Sequence, residues 1–338
     1  MSSSAITADR LYPLKFCPVY QERVWGGTLM TETLGRELPQ SGVPTGESWE
    51  LSDRHDIQSV VKEGELAGVS INELVTACGR ALLGSKAPAT DKFPLLVKLI
   101  DAGERLSLQV HPDTQASRLI GGGAEPKTEM WYIIDTRPGA KIMAGLHGRA
   151  TRLQLTTLLD SPEIESLMQV YPSQPGDAYY IPAGTIHAIG AGNLLLEIQQ
   201  NSDTTYRISD WGRVGSDGKP RQLHREEGMK AINFTNRTNP RIAGAVGKTK
   251  FNRKYDVVTN CPFFKVFDLR LSSRWNDTTK PGDSFHLLSA IHGSAVIERK
   301  GEQTFVAPGE TVLIPACCGA YTITPEGKND CVIVKTTL

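Results

Sequence analysis

The stretch Pro175-Gly-Asp-Ala-Tyr-Tyr-Ile-Pro-Ala-Gly-Thr-Ile-His187 returns near the C-terminus as Pro308-Gly-Glu-Thr-Val-Leu-Ile-Pro-Ala-Cys-Cys-Gly-Ala320. Gly176 and Gly309 both stand six residues before a proline, Pro182 and Pro315. Each Pro-Gly can turn the chain, and each Ile-Pro can end a strand, because proline brings no donor to a β-ladder. The two halves therefore read as copies of one β unit. Opposite His187 the second copy has Ala320, the pattern left by one working site and one structural copy.

Composition agrees with a folded, two-part chain. The 338 residues fit two domains or one large β architecture. Thirty-seven basic residues cancel thirty-seven acidic ones, so no broad cationic field for nucleic acid or an anionic membrane is expected. Hydrophobic content of 39% suffices for a core and argues against global disorder. No apolar run approaches membrane-spanning length, and Met1–Ala5 does not open a secretory signal. The six cysteines form no C-x-x-C pair and read as reduced thiols, so a cytoplasmic location is expected.

Along the chain, residues 1–10 read as a frayed terminus. Ser70-Ile-Asn-Glu73 is a capping box, and Leu74, Val75, Cys78, Ala81 and Leu82 continue it as a helical face. Phe93–Ile100 and Arg105–His111 read as paired strands with a turn at Asp101–Glu104. Further strands are expected at Trp131–Ile134, Lys141–Met143, Pro175–Pro182 and Asn193–Gln199. Short helices are expected at Thr151–Leu159, after the N-cap Ser161, and at His224–Ile232. Residues 234–250 read as a linker, and only β signals follow, from Phe263 to Lys335.

Four side chains carry the chemistry. Gln109 and His111 are two apart on an expected strand and so share a face, with Leu106, Leu108 and Val110 on the other. Glu129 precedes the next strand and His187 follows the Pro-Ala-Gly turn. An amide oxygen, two imidazoles and a carboxylate suit a divalent zinc, iron or manganese ion. With no thiolate and one neutral amide, the set fits a catalytic centre better than a structural one. Taken singly, neither histidine identifies a ligand. Their spacing does: Gly103-x5-Gln109-x-His111 resembles the first cupin motif with Gln in place of its first His. Gly176-x5-Pro182-x-Gly184-x2-His187 resembles the second. His55, His147, His224, His286 and His292 lack companions at ligand spacing and read as ordinary surface or core residues.

A closer resemblance runs through Gly46-Glu-Ser-Trp-Glu50, Leu106-Ser-Leu-Gln-Val-His-Pro-Asp113, Lys127-Thr-Glu-Met-Trp-Tyr132, Ile181–His187 and Asn201-Ser-Asp-Thr-Thr-Tyr-Arg207. These segments resemble the type I mannose-6-phosphate isomerases in their short bacterial form. The resemblance implies an all-β-dominated fold of two cupin-like jelly-roll barrels with inserted α-helices. The metal-binding catalytic domain is expected over 11–235 and a degenerate cupin domain over 236–338. It also implies one zinc ion per chain, held by Gln109, His111, Glu129 and His187, with an essential arginine at Arg207. The implied reaction interconverts mannose 6-phosphate and fructose 6-phosphate through a cis-enediol, in a monomer or homodimer.

That chemistry needs a cation for the phosphate or the enediolate, and Arg207 and Lys127 are the candidates. For Lys127 a structural salt bridge remains open. It also needs a base near C1 and C2, open among Glu50, Lys98, Asp203 and a metal-bound hydroxide. Trp49 and Trp131 could stack on a sugar or fill the core. Gly121-Gly-Gly123 lacks the preceding strand and following Gly-Lys-Ser/Thr of a phosphate loop and reads as a flexible loop able to close over substrate. Two rival readings are an iron-dependent cupin oxygenase and a sugar-phosphate sensor without turnover.

Overall fold

The computed structural model describes residues 6–40, 42–215, 218–236, 238–244, 251–327 and 330–338. Residues 1–5 of the expected frayed terminus and 245–250 of the expected linker lie outside the described residues. Strands dominate, arranged in four sheets among the described residues. The chain divides into two compact units that interleave in sequence, where the sequence reading makes one cut at 235/236. One unit comprises Met1–Val19, Trp49–Val97 and Ala245–Leu338; the other comprises Tyr20–Ser48 and Lys98–Gly244.

In the first of these, a six-stranded sheet runs in the order Leu14–Lys15, Thr311–Ile314, His286–His292, Cys331–Thr337, Lys265–Leu271, Arg253–Val258. A four-stranded sheet runs Trp275–Thr278, Ala320–Pro325, Ala295–Arg299, Glu302–Val306. Period-two burial shows which face is inward. On Ala320–Pro325, Tyr321 and Ile323 are buried while Ala320 is exposed. They join Leu288, Ala290, Ile297, Val312, Ile314 and Ile333 in one apolar cluster. The helix Ile71–Leu83 opens on the expected capping box: Ser70 accepts from the Glu73 N–H, and the Glu73 carboxylate accepts from the Ser70 N–H at 2.8 Å.

The other unit carries a five-stranded sheet, Tyr206–Ser209, Leu108–Val110, His187–Ile189, Lys141–Leu146, Met168–Pro172. A seven-stranded sheet, most of it in this unit, runs Arg241–Ile242, Ala178–Ile181, Glu129–Thr136, Asn193–Gln200, Leu95–Ala102, Thr45–Leu51, Val19–Glu22. The expected pairing of the strands flanking Asp101–Glu104 is therefore corrected: one lies in each sheet. Gly103 explains the crossing. A Cβ there would sit 2.4 Å from the Gly26 carbonyl oxygen, so only glycine lets the chain pass at this point. The outer face of the five-stranded sheet (Leu108, Val110, Met143, Ala188) is covered by Leu155, Ile164 and Ala231 from the inserted helical segments. Its inner face, with Ile142, Ala144 and Ile189, meets Trp131, Tyr179 and Ile181. Two short helices, Leu29–Leu34 and Thr114–Ile120, were not expected; the second starts where the Asp113 side chain accepts from the Ala116 N–H.

Candidate metal centre and cleft

Strand register aligns the site. Arg207 pairs with Gln109, and Gln109 pairs with His187, so three adjacent strands present these side chains in one row on the inner face. Glu129 opens its strand opposite Ile181 on one side and Gln199 on the other. The turn before His187 needs Gly184, whose φ is +86° and whose N–H donates to the His111 carbonyl at 2.7 Å. His111 and His187 are thereby held from both sides of the same turn.

Around Glu129 the donors converge. His111 Nε2 lies 3.3 Å from one carboxylate oxygen and His187 Nε2 lies 3.3 Å from the other. The ligand atoms of His111, Glu129 and His187 all fall within 4.8 Å of one another, and all three residues are buried. The Gln109 amide reaches this cluster, with Nε2 3.3 Å from His187 Nε2; only its oxygen end can ligate a cation. Backbone carbonyls fix both imidazoles. His111 Nδ1–H donates to Thr204 O and His187 Nδ1–H to Thr185 O, each at 2.8 Å. Each Nδ1 is thereby spent on a carbonyl, which leaves each Nε2 facing the Glu129 carboxylate. His111 Nε2 is buried without a hydrogen-bond partner among the described residues, and the Glu129 carboxylate is met by the ion pair with Lys127. Two imidazole nitrogens, a carboxylate and an amide oxygen, buried and converging within reach of one point, are a donor set that fits a divalent metal ion.

Protonation follows the same geometry. Burial pushes His187 down to about 4, so the ring is neutral near pH 7. Burial alone would raise Glu129, but Lys127, His111 and His187 outweigh it and hold the carboxyl well below its ordinary range. Burial disfavours the Lys127 ammonium, yet Glu129, Glu197 and Asp203 together raise it to about 12. Its Nζ is 3.2 Å from Glu129 Oε2. Lys127 is thus an ion-paired residue beside the donor cluster and also part of the cleft wall.

A cleft of about 540 Å³ opens beside the cluster, and Gln109 and Lys127 line it. Its walls also carry Arg207, Arg23, Arg221, Lys98, Glu47, Glu197 and Asp203. Arg207 donates to the Gln222 carbonyl at 2.8 Å, while its buried Nε has no hydrogen-bond partner among the described residues. Burial, reinforced by neighbouring Arg221, lowers its pKa, the situation of a guanidinium awaiting an anion. Lys98 is nearly buried, with Nζ 3.7 Å from Glu197, 3.8 Å from Glu47 and 4.0 Å from Asp203.

Several site candidates resolve differently from one another. Asp203 and Lys98 line the cleft, whereas Trp49 and Glu50, buried on Thr45–Leu51, are not among its described lining residues. Trp131 is fully buried, edge-on to His187 at 5.2 Å, and its Nε1–H donates to Glu197 at 2.9 Å. It backs the site and presents no face for a sugar. Sequence reading missed Glu197, Glu47, Arg23 and Arg221. Glu197 had one signal, a carboxylate at an inward position of an otherwise apolar strand. His224, read as ordinary, packs on Arg207: its N–H donates to the Arg207 carbonyl at 2.8 Å.

Comparison with known proteins gives the family. Residues 13–143 match the sequence model described as phosphomannose isomerase type I, catalytic domain, and residues 254–334 match mannose-6-phosphate isomerase, cupin domain. Mannose-6-phosphate isomerase ManA of Bacillus subtilis is 36% identical over 328 residues, covering 95% of this chain and 98% of that protein. The chain belongs to the type I phosphomannose isomerases. Mannose-6-phosphate isomerase of Streptococcus mutans is 34% identical over 304 residues, covering 90% of this chain and 92% of its own length. The crystal structure of the Bacillus subtilis mannose 6-phosphate isomerase superposes with a TM-score of 0.85 at 31% identity, covering 97% of this chain and all of that one. The resemblance read from the motifs and the isomerase class it implied are borne out. Among the described residues, no helix is long and apolar enough to cross a membrane.

Proposed function

We propose that this chain interconverts D-mannose 6-phosphate and D-fructose 6-phosphate as a zinc-dependent aldose–ketose isomerase acting through a cis-enediol. The observation that carries the reading is the buried donor cluster, with both Nε2 atoms turned to Glu129 by the carbonyls that hold Nδ1, at a cleft rich in cationic side chains. Gln109, His111, Glu129 and His187 would hold one zinc ion. When bound, such an ion polarises the sugar carbonyl and lowers the energy of the charge that develops on O1 and O2.

The chain's own residues do the rest. Arg207 receives the phosphate or the enediolate through planar donors, with Arg221 beside it in the same wall. Lys127 supplies a fixed positive charge next to the donor cluster. We assign the proton transfer between C1 and C2 to Glu197. Burial raises its pKa, which makes its carboxylate a stronger base, and it lines the cleft with Lys98 beside it. Trp131 holds its other oxygen in place.

In this reading the two sheet pairs are two jelly-roll barrels. Catalysis is assigned to a domain within residues 11–235, and residues 236–338 form most of a degenerate copy, to which Leu14–Lys15 adds a strand. The enzyme works in the cytoplasm as a monomer or homodimer. The test is isomerisation by purified protein after chelation and after zinc repletion. Activity lost on chelation and regained with zinc supports the proposal. Isomerisation indifferent to both treatments overturns the metal role. Oxygen consumption by iron-loaded protein, or sugar-phosphate binding without turnover, would replace the isomerase reading altogether.

A further inference from the structure

The two units can be compared position by position. The strands Trp275–Thr278, Ala320–Pro325, Ala295–Arg299 and Glu302–Val306 follow one another as Leu108–Val110, His187–Ile189, Lys141–Leu146 and Met168–Pro172 do. Likewise Thr311–Ile314, His286–His292, Cys331–Thr337 and Lys265–Leu271 follow the order of Ala178–Ile181, Glu129–Thr136, Asn193–Gln200 and Leu95–Ala102. The repeated Ile-Pro anchors the register. Glu129 pairs with Ile181, and His286 pairs with Ile314. Trp131 pairs with Glu197, and Leu288, two residues past His286, pairs with Lys335. Gln109 pairs with His187, and Asp277 pairs with Tyr321.

The inward position equivalent to His187 is therefore Tyr321. The sequence alignment put Ala320 there, but Ala320 is exposed and faces outward. The turn Ala316–Cys318 absorbs one extra residue between the proline and the strand. Asp277, Tyr321, His286 and Lys335 thus stand where Gln109, His187, Glu129 and Glu197 stand in the other unit. Unlike that set, they satisfy one another. Lys335 Nζ lies 2.6 Å from Asp277, and the Tyr321 hydroxyl is 2.7 Å from His286 Nδ1. Tyr321, His286 and Lys335 are each at least nine-tenths buried.

We propose that the Lys335 ammonium is a built-in replacement for a metal ion. It supplies inside its own sheet pair the positive charge that a divalent cation would supply beside Glu129. Removing the ammonium and restoring a histidine then opens a divalent-cation site of oxygen and nitrogen donors at Asp277, His286 and position 321. This extends the metal reading of the other unit, but its test is a difference and does not depend on that reading.

The test counts zinc per chain in purified protein after gel filtration, for wild type, for Lys335→Ala with Tyr321→His, and for that pair with Asp277→Asn. The double variant, prepared with zinc present, is expected to hold one zinc more than wild type and to show a melting temperature that rises on adding zinc. Adding Asp277→Asn is expected to return the count to the wild-type value. A folded double variant with no extra zinc overturns the proposal, as does a double variant that stays unfolded in zinc-replete buffer. An extra zinc that survives Asp277→Asn also overturns it. A wild-type protein without zinc would sink the reading of the other site alone, because the increment is still measured.

Discussion

Replacing Glu129 by glutamine changes one atom in shape and removes the charge on which the site is balanced. The carboxylate is fully buried, with Lys127 Nζ at 3.2 Å and the two histidine Nε2 atoms at 3.3 Å. At an effective dielectric constant near 20, a charge pair at this separation is worth about 5 kcal/mol. Glu197 and Asp203 also act on the Lys127 ammonium and offset part of that loss. The expected net destabilisation is about 3 kcal/mol, the lower end for breaking a buried ion pair. The same substitution takes the only charged ligand from the donor set, so bound zinc is expected to be lost and isomerisation to fall about 1000-fold or more. Urea denaturation measures the first effect, and elemental analysis of gel-filtered protein measures the second. A Glu129→Gln protein with a full zinc complement and stability within about 1 kcal/mol of wild type would refute the reasoning.

Other expectations rest on separate residues. Arg207→Ala should lower kcat/KM for the sugar phosphate by about 100-fold, with partial recovery in Arg207→Lys; equal activity in all three proteins would remove Arg207 from the site. Gly103→Ala forces a Cβ to within 2.4 Å of the Gly26 carbonyl and should cost about 2 kcal/mol or more in a denaturation series. His286 is held near pKa 4 by burial, below its unfolded value of 6.5. The unfolded chain therefore binds the proton first, and the stability this residue contributes is full above pH 6.5 and lost as pH falls through 4, about 3 kcal/mol in all. His286→Gln should flatten that part of the stability profile, and an unchanged slope between pH 6.5 and 4 would contradict the buried neutral ring.

The sequence was most readable where chemistry follows local spacing. Gln109 and His111 share a face because side chains alternate along a strand, and the Pro-Ala-Gly turn sets the distance to His187. The helix Ile71–Leu83 was legible from its capping box and apolar stripe. What escaped depends on strands meeting across the fold. Glu197, Glu47 and Arg221 enter the cleft from separate segments, and no local pattern connects them to Lys98 or Arg207. The strands flanking Gly103 looked like a hairpin because the turn is short; the close approach to Gly26 that sends them to different sheets is a long-range constraint. Tyr321 was hidden by a single inserted residue, which reverses the face of everything after it until a bulge or turn absorbs the shift. The trio read around Glu129 and the cationic residues beside it are adjacent in space, while their roles rest on the proposal above.

The most direct test is zinc-edge X-ray absorption on the purified, zinc-replete protein. The expected spectrum has one zinc per chain with only nitrogen and oxygen neighbours near 2.0–2.1 Å and imidazole scattering from two histidines. A sulfur shell near 2.3 Å, imidazole scattering that persists after His111→Ala and His187→Ala together, or no stoichiometric zinc would contradict it.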